Sequence, residues 1–298
     1  MSDVQHCGYA AIIGAPNAGK STLLNTLVGS KIAIVTPKVQ TTRYKILGIV
    51  VKEHTQLILI DTPGIFTPDK RFEKAMVDSA WSGANDADVV LFLVDATRKN
   101  ESESLAILEK LKTISKPVWL VLNKIDELEK TSLLELAKRW SDRFAFERIM
   151  MISALRAKGT SDLIEKLLPL MPKQPWMYPE EDLGTQSMRD IAAEITREKL
   201  FLRVHQELPY SLHVETESWE ESERLIKIRQ IIYTQRESHK KIILGEKGQG
   251  IKAIGMGSRL EIEAQTGKKV HLELFIKVRE NWKEDREIYS KLGLEYKE

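Results

Sequence analysis

Apolar runs with the composition of buried strands recur through the first half of the chain. They include YAAII ahead of Gly14, QLILI at 56–60, the run from Pro117 to Leu122, and IMMI ahead of Ser153. Stretches with helical spacing of apolar residues, such as TLLNTLVG, lie between them. Because strands alternate with helices, the pattern predicts an α/β domain with a mostly parallel sheet.

The pattern changes after a polar stretch that contains two prolines. The segment KQPWMYPEEDLGTQ carries Pro175 and Pro179, and we interpret residues 174–186 as a linker. Beyond it the chain has the order α-β-β-α-α-β, which is typical of a smaller α+β domain. The sequence therefore predicts one domain at 1–173 and a second at 187–298.

Composition narrows the class of protein. A chain of 298 residues with 42% hydrophobic and 30% charged residues is typical of a folded protein with one or two cores. The net charge is only +2, so a nucleic-acid site has to be a local basic patch. The single cysteine, Cys7, excludes an internal disulfide framework, and the most apolar stretch, at 89–96, is too short to span a membrane. We therefore expect a cytoplasmic protein.

The loop GAPNAGKS, between the first strand and the first helix, matches G-x-x-x-x-G-K-[ST] in the context that this motif requires. Its glycines let successive backbone N–H groups point at an anion, and the N-terminus of the next helix favours negative charge. We expect Lys20 to contact the β- and γ-phosphates of a nucleotide and Ser21 to bind Mg²⁺. A plain strand-to-helix turn is the alternative. The predicted phosphate-contacting residues are Gly14, Ala15, Pro16, Asn17, Ala18, Gly19, Lys20, Ser21 and Thr22.

A second motif, Asp61-Thr62-Pro63-Gly64, follows the strand QLILI. The Asp61 carboxylate at the strand end can hold the Mg²⁺ shell, and the Gly64 N–H can approach the γ-phosphate. Taken alone, the four residues are equally consistent with a turn. Their place downstream of a phosphate loop favours the metal interpretation, in which Thr62 and Pro63 also line the nucleotide site.

A third motif has the chemistry of base recognition. The carboxylate of Asp126 can accept hydrogen bonds from N1–H and N2–H₂ of guanine, whereas adenine has no N2 amine and presents an acceptor at N1. Asn123 would brace the phosphate loop, and the backbone N–H of Ala154 could face the guanine O6. The predicted base-contacting residues are Asn123, Lys124, Asp126, Ser153, Ala154 and Leu155.

In this order the motifs resemble a small GTPase of the translation-factor-related class. The resemblance implies a switch threonine ahead of the Asp61 strand, and VTPKVQTTRYKI offers Thr41 and Thr42. We choose Thr42 as the contact to Mg²⁺ and the γ-phosphate, with Thr41 as the alternative. The expected metal ligands are Ser21, Thr42 and Asp61, and the expected catalytic groups are Lys20, Thr42 and Gly64.

Ile65 stands where many signalling GTPases place a glutamine that orients the attacking water. An aliphatic side chain cannot hydrogen-bond water, so we expect slow intrinsic hydrolysis. Asn17 together with Ile65 resembles GTPases that bind K⁺ beside the phosphates, where the ion would supply positive charge. An Asn17 that only stabilises its loop is the alternative.

Residues Gly245 to Gly248 form a G-x-x-G loop between two predicted helices, which is the signature of a KH module. Two glycines let the backbone lie against a sugar-phosphate chain, and the N-terminus of the next helix favours phosphate. A helix-joining turn has the same letters, but the α-β-β-α-α-β order and the neighbouring cations favour a KH domain. The predicted RNA contacts are Lys240, Lys241, Gly245, Glu246, Lys247, Gly248 and Lys252.

The motifs GAPNAGKSTLLN, VTPKVQTTR, DTPGI, NKID, ISAL, AEITREKLF, ELPYS, GQGIKAIG and VHLELFIKVRENW follow one another along essentially the whole chain. On them the chain resembles the Era family of bacterial GTPases. The resemblance implies a P-loop GTPase domain followed by a type II KH domain, with GTP or GDP and Mg²⁺ as ligands. It also implies a factor of 30S subunit assembly whose KH domain binds the single-stranded 3′ end of small-subunit ribosomal RNA.

The same resemblance implies a cytoplasmic protein that is partly peripheral at the inner face of the cell membrane, and we expect a monomer. Glu246 is a departure, because it places a carboxylate beside the expected RNA phosphates and leaves more of the affinity to Lys247. A constitutive RNA-binding protein with a weakly active GTPase domain is the runner-up. A GTPase of transfer-RNA modification would need a catalytic cysteine or a folate or flavin module, which the sequence does not show.

Overall fold

The computed structural model describes residues 4–205 and 208–297, which divide into two compact units. The first unit takes the described residues of 1–33, 42–185 and 290–298, and the second takes those of 34–41 and 186–289.

The first unit is an α/β domain. Its strands are β1 (His6–Ile13), β2 (Ile46–Lys52), β3 (Thr55–Asp61), β4 (Val89–Asp95), β5 (Val118–Asn123) and β6 (Arg148–Met151). Its helices are α1 (Lys20–Val28), α2 (Arg71–Asp86), α3 (Ser102–Leu111), α4 (Lys130–Ser141) and α5 (Thr160–Leu167). The sheet has the order β2-β3-β1-β4-β5-β6, and only the β2–β3 pair within it is antiparallel. The predicted mostly parallel sheet is confirmed.

Apolar side chains cover both faces of this sheet. Leu23 and Leu24 of α1 pack with Leu93 on one face, while Phe92 packs with Trp140 of α4 on the other. Strands buried on both faces have continuous apolar runs, as the sequence pattern has here. Polar side chains are consequently left to the strand ends, and in a parallel sheet the carboxyl ends share one edge.

Residues 174–185, most of the predicted linker, pack within the first unit. The side chain of Gln56 on β3 accepts hydrogen bonds from the backbone N–H groups of Met177 and Tyr178 at 2.9 and 3.1 Å. It also donates to the Tyr178 carbonyl at 2.8 Å. A buried amide thus fixes a segment that composition alone describes as a loop.

The second unit is an α+β domain. Its elements are α6 (Met188–Arg203), β7 (His213–Glu221), β8 (Leu225–Thr234), α7 (Glu237–Leu244), α8 (Gln249–Thr266) and β9 (Lys269–Val278), and α9 (Arg286–Lys291) follows. The sheet order is β7-β8-β9, with β7 antiparallel and β9 parallel to β8. Leu200, Ile232 and Ile254 meet in its core. The predicted α-β-β-α-α-β order is confirmed.

Candidate functional site

The phosphate loop connects the end of β1 to the start of α1. Gly19, directly before the helix, has a φ of 98°. A Cβ there would lie 2.3 Å from Nδ2 of Asn123, and a Cβ on Gly14 would lie 2.3 Å from the carbonyl oxygen of Leu93. Both positions require glycine, because a side chain would collide with the ends of neighbouring strands.

Lys20 is buried beneath this loop. Its Nζ donates to the carbonyl oxygens of Gly14 and Ala15 at 3.1 and 3.0 Å. Burial lowers the pKa of Lys20 to about 8, and the charge of Asp61 acts in the opposite direction. Because a buried ammonium group is stabilised by added negative charge, Lys20 favours binding of a phosphate group by this loop.

Ser21, Thr42 and Asp61 converge at the end of β3. The Ser21 hydroxyl lies 2.7 Å from Oδ2 of Asp61 and 2.8 Å from the Thr42 hydroxyl, which is itself 3.3 Å from the same Oδ2. Burial raises the pKa of Asp61 to about 6, although Lys20 and the two hydroxyls act to lower it. The structure brings together the three side chains that the sequence suggests as metal ligands.

These oxygen donors fit Mg²⁺. The Oδ1 atom of Asp61 is buried and has no hydrogen-bond partner among residues 4–205 and 208–297. A buried carboxylate oxygen without a donor is costly, and a cation beside it removes that cost. Mg²⁺ prefers oxygen ligands and needs only one or two from the protein when a nucleotide supplies others.

The two candidate switch threonines have different surroundings. The Thr41 hydroxyl lies 2.7 Å from the Thr36 hydroxyl and donates to the Lys38 carbonyl at 2.7 Å, so its contacts are within its own loop. The Thr42 hydroxyl instead contacts Ser21 and Asp61. Tandem threonines are equivalent by composition, and only the fold distinguishes them.

The segment after Asp61 packs closely against the phosphate loop. The Thr62 hydroxyl donates to the Ile12 carbonyl at 2.9 Å, and the Ile65 N–H donates to the Gly14 carbonyl at 3.1 Å. A Cβ on Gly64 would lie 3.1 Å from Cα of Pro16. Ile65 is 7% exposed and belongs to the core. Its side chain therefore cannot orient an attacking water.

Asn123 links the phosphate loop to the base-recognition segment. Its Nδ2 donates to the Ala18 carbonyl at 2.9 Å, and its Oδ1 accepts from the Ala154 N–H at 2.9 Å. The expected bracing role of Asn123 agrees with this geometry. The Ala154 N–H, which we expected to face the guanine O6, is hydrogen-bonded to Asn123 in this structure.

Asp126 lies at the surface, where its side chain is 25% exposed and its Oδ2 is 4.0 Å from Nε of Arg156. A hydrogen bond from Ser153 is the main cause that lowers the pKa of Asp126, and the more distant Arg156 and Lys158 contribute. The carboxylate is therefore ionised at neutral pH, as acceptance of two guanine donors requires. Leu155, two residues after Ser153, is 76% exposed.

Two residues that contact this region lie outside the sequence motifs. Thr26 of α1 donates to the Ala154 carbonyl at 2.8 Å and so supports the base-recognition segment. Asp95, at the end of β4, pairs with Lys124. Asp95 ends the apolar run of β4, and an acidic residue at a strand end is the same sequence signal that marks Asp61. Thr26 carries no such signal.

The G-x-x-G loop joins α7 to α8. Gly245, Lys247 and Gly248 all have positive φ, of 70°, 48° and 78°, and Gly248 directly precedes α8. A Cβ on Gly245 would lie 2.9 Å from the Gly250 nitrogen, whereas a Cβ on Gly248 would meet nothing within 4 Å. Gly245 is needed for packing, and Gly248 leaves open space at a helix N-terminus where a phosphate can approach.

The cations expected at this loop lie on both flanking helices. Lys240 and Lys241 belong to α7, Lys247 to the loop and Lys252 to α8. Within the described part of the chain none of the four forms an ion pair with a carboxylate. Glu246 is exposed in the same loop. The loop therefore offers one helix N-terminus and several uncompensated cations to a polyanion.

Two family models match the chain. Residues 9–124 match the family described as 50S ribosome-binding GTPase, and residues 207–283 match the family described as KH domain. The first match contains the phosphate loop, the Asp61 segment and Asn123, and the second contains the G-x-x-G loop.

Curated relatives and solved structures extend the similarity to nearly the whole chain. GTPase Era of Mesorhizobium japonicum is 52% identical over 292 residues, which cover 98% of this chain and 94% of that protein. GTPase Era of Rhizobium meliloti is 51% identical over 290 residues, covering 97% and 93%. A crystal structure of Era in complex with MgGDPNP and nucleotides 1506–1542 of 16S ribosomal RNA is 35% identical with a TM-score of 0.91, covering 97% of this chain and 99% of that one. The chain is thus a GTPase of the Era family, with a C-terminal KH domain.

Proposed function

We propose that this GTPase is an assembly factor of the 30S subunit that binds the single-stranded 3′ end of 16S ribosomal RNA through the Gly245–Gly248 loop. The observation that carries the proposal is the geometry of that loop: Gly245 and Gly248 have positive φ, Gly248 directly precedes α8, and the neighbouring lysines form no ion pair with a carboxylate among the described residues. The similar Era structure with bound 16S RNA supports the same class of RNA. The family description that names the 50S subunit concerns residues 9–124 only.

In the nucleotide site, we assign phosphate binding to the 14–22 loop, where Lys20 and the backbone N–H groups bind the β- and γ-phosphates. Thr42 and Gly64 contact the γ-phosphate, and Asp126 reads the guanine base. Ser21, Thr42 and Asp61 would hold Mg²⁺, which would supply positive charge beside the phosphates. The remaining contacts are assigned to Thr62, Pro63, Asn123, Lys124, Ser153, Ala154 and Leu155.

Intrinsic hydrolysis is slow in this proposal because Ile65 is a core residue. A K⁺ ion beside Asn17 would supply charge to the phosphates, and Asn17 has the positive φ of 62° that turns the loop around the site. Turnover measured in matched K⁺ and Na⁺ buffers tests this: higher turnover in K⁺ supports the ion, and equal turnover refutes it.

We place the protein in the cytoplasm as a monomer, with the GTPase domain at 1–173, a linker at 174–186 and the KH domain at 187–298. In the ranges that the structure describes, no helix is long and apolar enough to cross a membrane. From the resemblance to the Era family, we propose a partial, peripheral association with the inner face of the cell membrane. Co-flotation with vesicles of bacterial lipids tests it, and protein that stays entirely with the soluble fraction at low salt contradicts it.

The RNA proposal is tested with Gly248→Asp. The substitution adds a negative charge where we place an RNA phosphate, and should weaken binding of a 16S 3′-end oligonucleotide at least about tenfold, or about 1.4 kcal/mol. The control is Gly267→Asp at the other end of α8, since Gly267 also has positive φ, 68°, with nothing within 4 Å of its Cβ. Both variants place an aspartate at a position of positive φ and so carry a similar backbone strain. A loss of RNA affinity in Gly248→Asp alone therefore reports a contact with RNA and not strain.

GTP affinity and the far-UV circular dichroism spectrum should stay at wild-type values in both variants. Wild-type RNA affinity in a folded Gly248→Asp protein, or equal losses in both variants, would contradict the proposal and leave the loop as a helix-joining turn.

A further inference from the structure

Asp95 lies at the carboxyl end of β4, opposite Asn123 at the end of β5. Its Oδ2 accepts from Nζ of Lys124 at 2.5 Å. Its Oδ1 accepts from the backbone N–H of Thr97 at 3.0 Å and from the Thr97 hydroxyl at 2.7 Å. Both oxygens of one carboxylate are thus occupied, and the orientation of the carboxylate is fixed.

The pair differs from the ion pairs on the surface of the same unit. The Asp95 side chain is only 12% exposed and that of Lys124 is 32% exposed. In the Lys112–Glu109 pair the corresponding values are 46% and 68%. Exposed pairs of that kind contribute little because water screens them and both side chains stay mobile. Thr97 fixes the orientation of the partly buried Asp95 carboxylate, and this carboxylate can therefore fix the position of the Lys124 ammonium group.

The backbone of Lys124 adds a second constraint. Lys124 has a φ of 65° and a ψ of 34°, in the left-handed region that a lysine rarely adopts. The left-handed turn at Lys124 separates Asn123, which bonds to Ala18 and Ala154, from Asp126. It therefore sets the position of one residue relative to the other. The carbonyl of Asn123 also accepts from the Ala96 N–H at 3.0 Å. The Asp95 segment therefore supports the turn through one backbone and one side-chain contact.

We propose that Asp95 is a positioning residue for guanine-nucleotide binding, which acts by holding the Lys124 ammonium and, through it, the left-handed turn that carries Asn123 and Asp126. The proposal rests on the assignment of Lys124 as a nucleotide contact. A long lysine side chain loses rotational freedom when it binds a ligand, and fixing it beforehand reduces that loss. Asp95 should accordingly affect GTP and GDP affinity equally and leave the hydrolysis step unchanged.

The test is Asp95→Asn in the full-length protein, with nucleotide affinities and single-turnover hydrolysis measured together. Asparagine keeps an acceptor for Thr97 but removes the negative charge that holds Lys124. We expect the dissociation constants of GTP and GDP to rise about tenfold, equivalent to about 1.4 kcal/mol. We expect kcat at saturating GTP within about twofold of wild type, because equal loss of ground-state and transition-state binding leaves kcat unchanged.

The matched control is Glu101→Gln. Glu101 is similarly buried, 15% exposed, and pairs with Arg139 and Arg143 without contact to the nucleotide residues. This variant should keep wild-type nucleotide affinity. A third variant, Asp95→Glu, retains the charge and should recover part of the affinity that Asp95→Asn loses.

A double-mutant cycle with Lys124→Met identifies the route of the effect. If Asp95 acts through Lys124, the double variant binds GDP no more weakly than Lys124→Met alone. Additive losses, or a change below about twofold in Asp95→Asn, would overturn the proposal. Wild-type affinity in Lys124→Met would overturn it for a different reason, since the nucleotide role of Lys124 would then be wrong. RNA titration of the same variants should show wild-type affinity, so the outcome is independent of the RNA proposal.

Discussion

Asn123→Ala tests whether one side chain couples the phosphate loop to base recognition. Asn123 is 2% exposed and makes two hydrogen bonds of 2.9 Å, one to the Ala18 carbonyl and one from the Ala154 N–H. Alanine removes both partners at once. Each backbone group left without a partner in the interior costs about 1–3 kcal/mol, so the unfolding free energy should fall by about 2–6 kcal/mol for the two groups together.

Nucleotide binding should weaken in addition to the loss of stability. Once Asn123 is removed, the loop at Ala18 and the segment at Ala154 are no longer connected by a side chain, and each can move independently of the other. We expect GTP and GDP to bind at least about tenfold more weakly, or about 1.4 kcal/mol. Urea denaturation gives the unfolding free energy, and titration with a fluorescent GDP analogue well below the unfolding midpoint gives the affinity.

Gln56→Ala is the control for a general loss of stability. Gln56 is likewise buried and loses three hydrogen bonds to Met177 and Tyr178, but it lies on β3 four residues before Ile60 and away from the Asp61 end. It should be destabilised to a similar degree and bind GDP like the wild type. If Asn123→Ala has the same GDP affinity as Gln56→Ala, Asn123 contributes only to folding and the coupling argument is wrong.

Three further predictions concern the same site. Asp126→Asn should exchange guanine for xanthine preference, because an amide can donate to the C2 carbonyl of xanthine; side-by-side GTP and XTP affinities check this, and an unchanged GTP preference would refute it. Lys20→Ala should weaken GTP binding and hydrolysis because it removes the cation beneath the loop, and near-normal turnover would exclude that role. Mg²⁺ should bind the nucleotide-free protein less tightly at low pH. Because the pKa of Asp61 is raised to about 6, a proton competes with the metal for this carboxylate. The Mg²⁺ affinity should fall about tenfold per pH unit below pH 6 and level off above it. A flat Mg²⁺ affinity between pH 5 and pH 7.5, measured by calorimetry, would show that Asp61 is not a ligand.

The raised pKa of Asp61 also predicts how the stability of the folded protein depends on pH. The folded pKa of Asp61 lies above the unfolded value of 3.8, so the folded state binds the proton more tightly. Without metal, this residue therefore favours folding most at low pH, and its contribution declines as pH rises from about 4 to 6. Mg²⁺ should offset that decline, and Asp61→Asn should remove the pH dependence that this residue contributes.

The motifs of this protein could be predicted from sequence because their chemistry depends on short spacing. The Gly14–Ser21 loop, the Asp61 segment and the G-x-x-G loop each place a few backbone groups within one turn, and a turn is determined by its own residues. The strands could also be predicted from the sequence, because burial on both faces of the sheet makes each strand continuously apolar.

Tertiary structure determined which of several similar residues meet. Thr41 and Thr42 are adjacent and chemically identical, yet only the Thr42 hydroxyl contacts Ser21 and Asp61. The Ala154 N–H, which we predict to face the guanine O6, donates in this structure to Asn123 at the end of β5. Contacts between residues far apart in sequence depend on strand order and register, which local patterns do not contain.

Burial likewise came only from the fold. The sequence shows that Ile65 cannot bind water, but only packing shows that it belongs to the core. The fixed carboxylate of Asp95 and the ordered 174–185 segment also depend on neighbours brought from distant parts of the chain. The pKa of a group, its suitability as a metal ligand and its ion pairs all depend on the surroundings of that group. The surroundings of Asp61, Lys20 and Asp95 exist only after the sheet has formed.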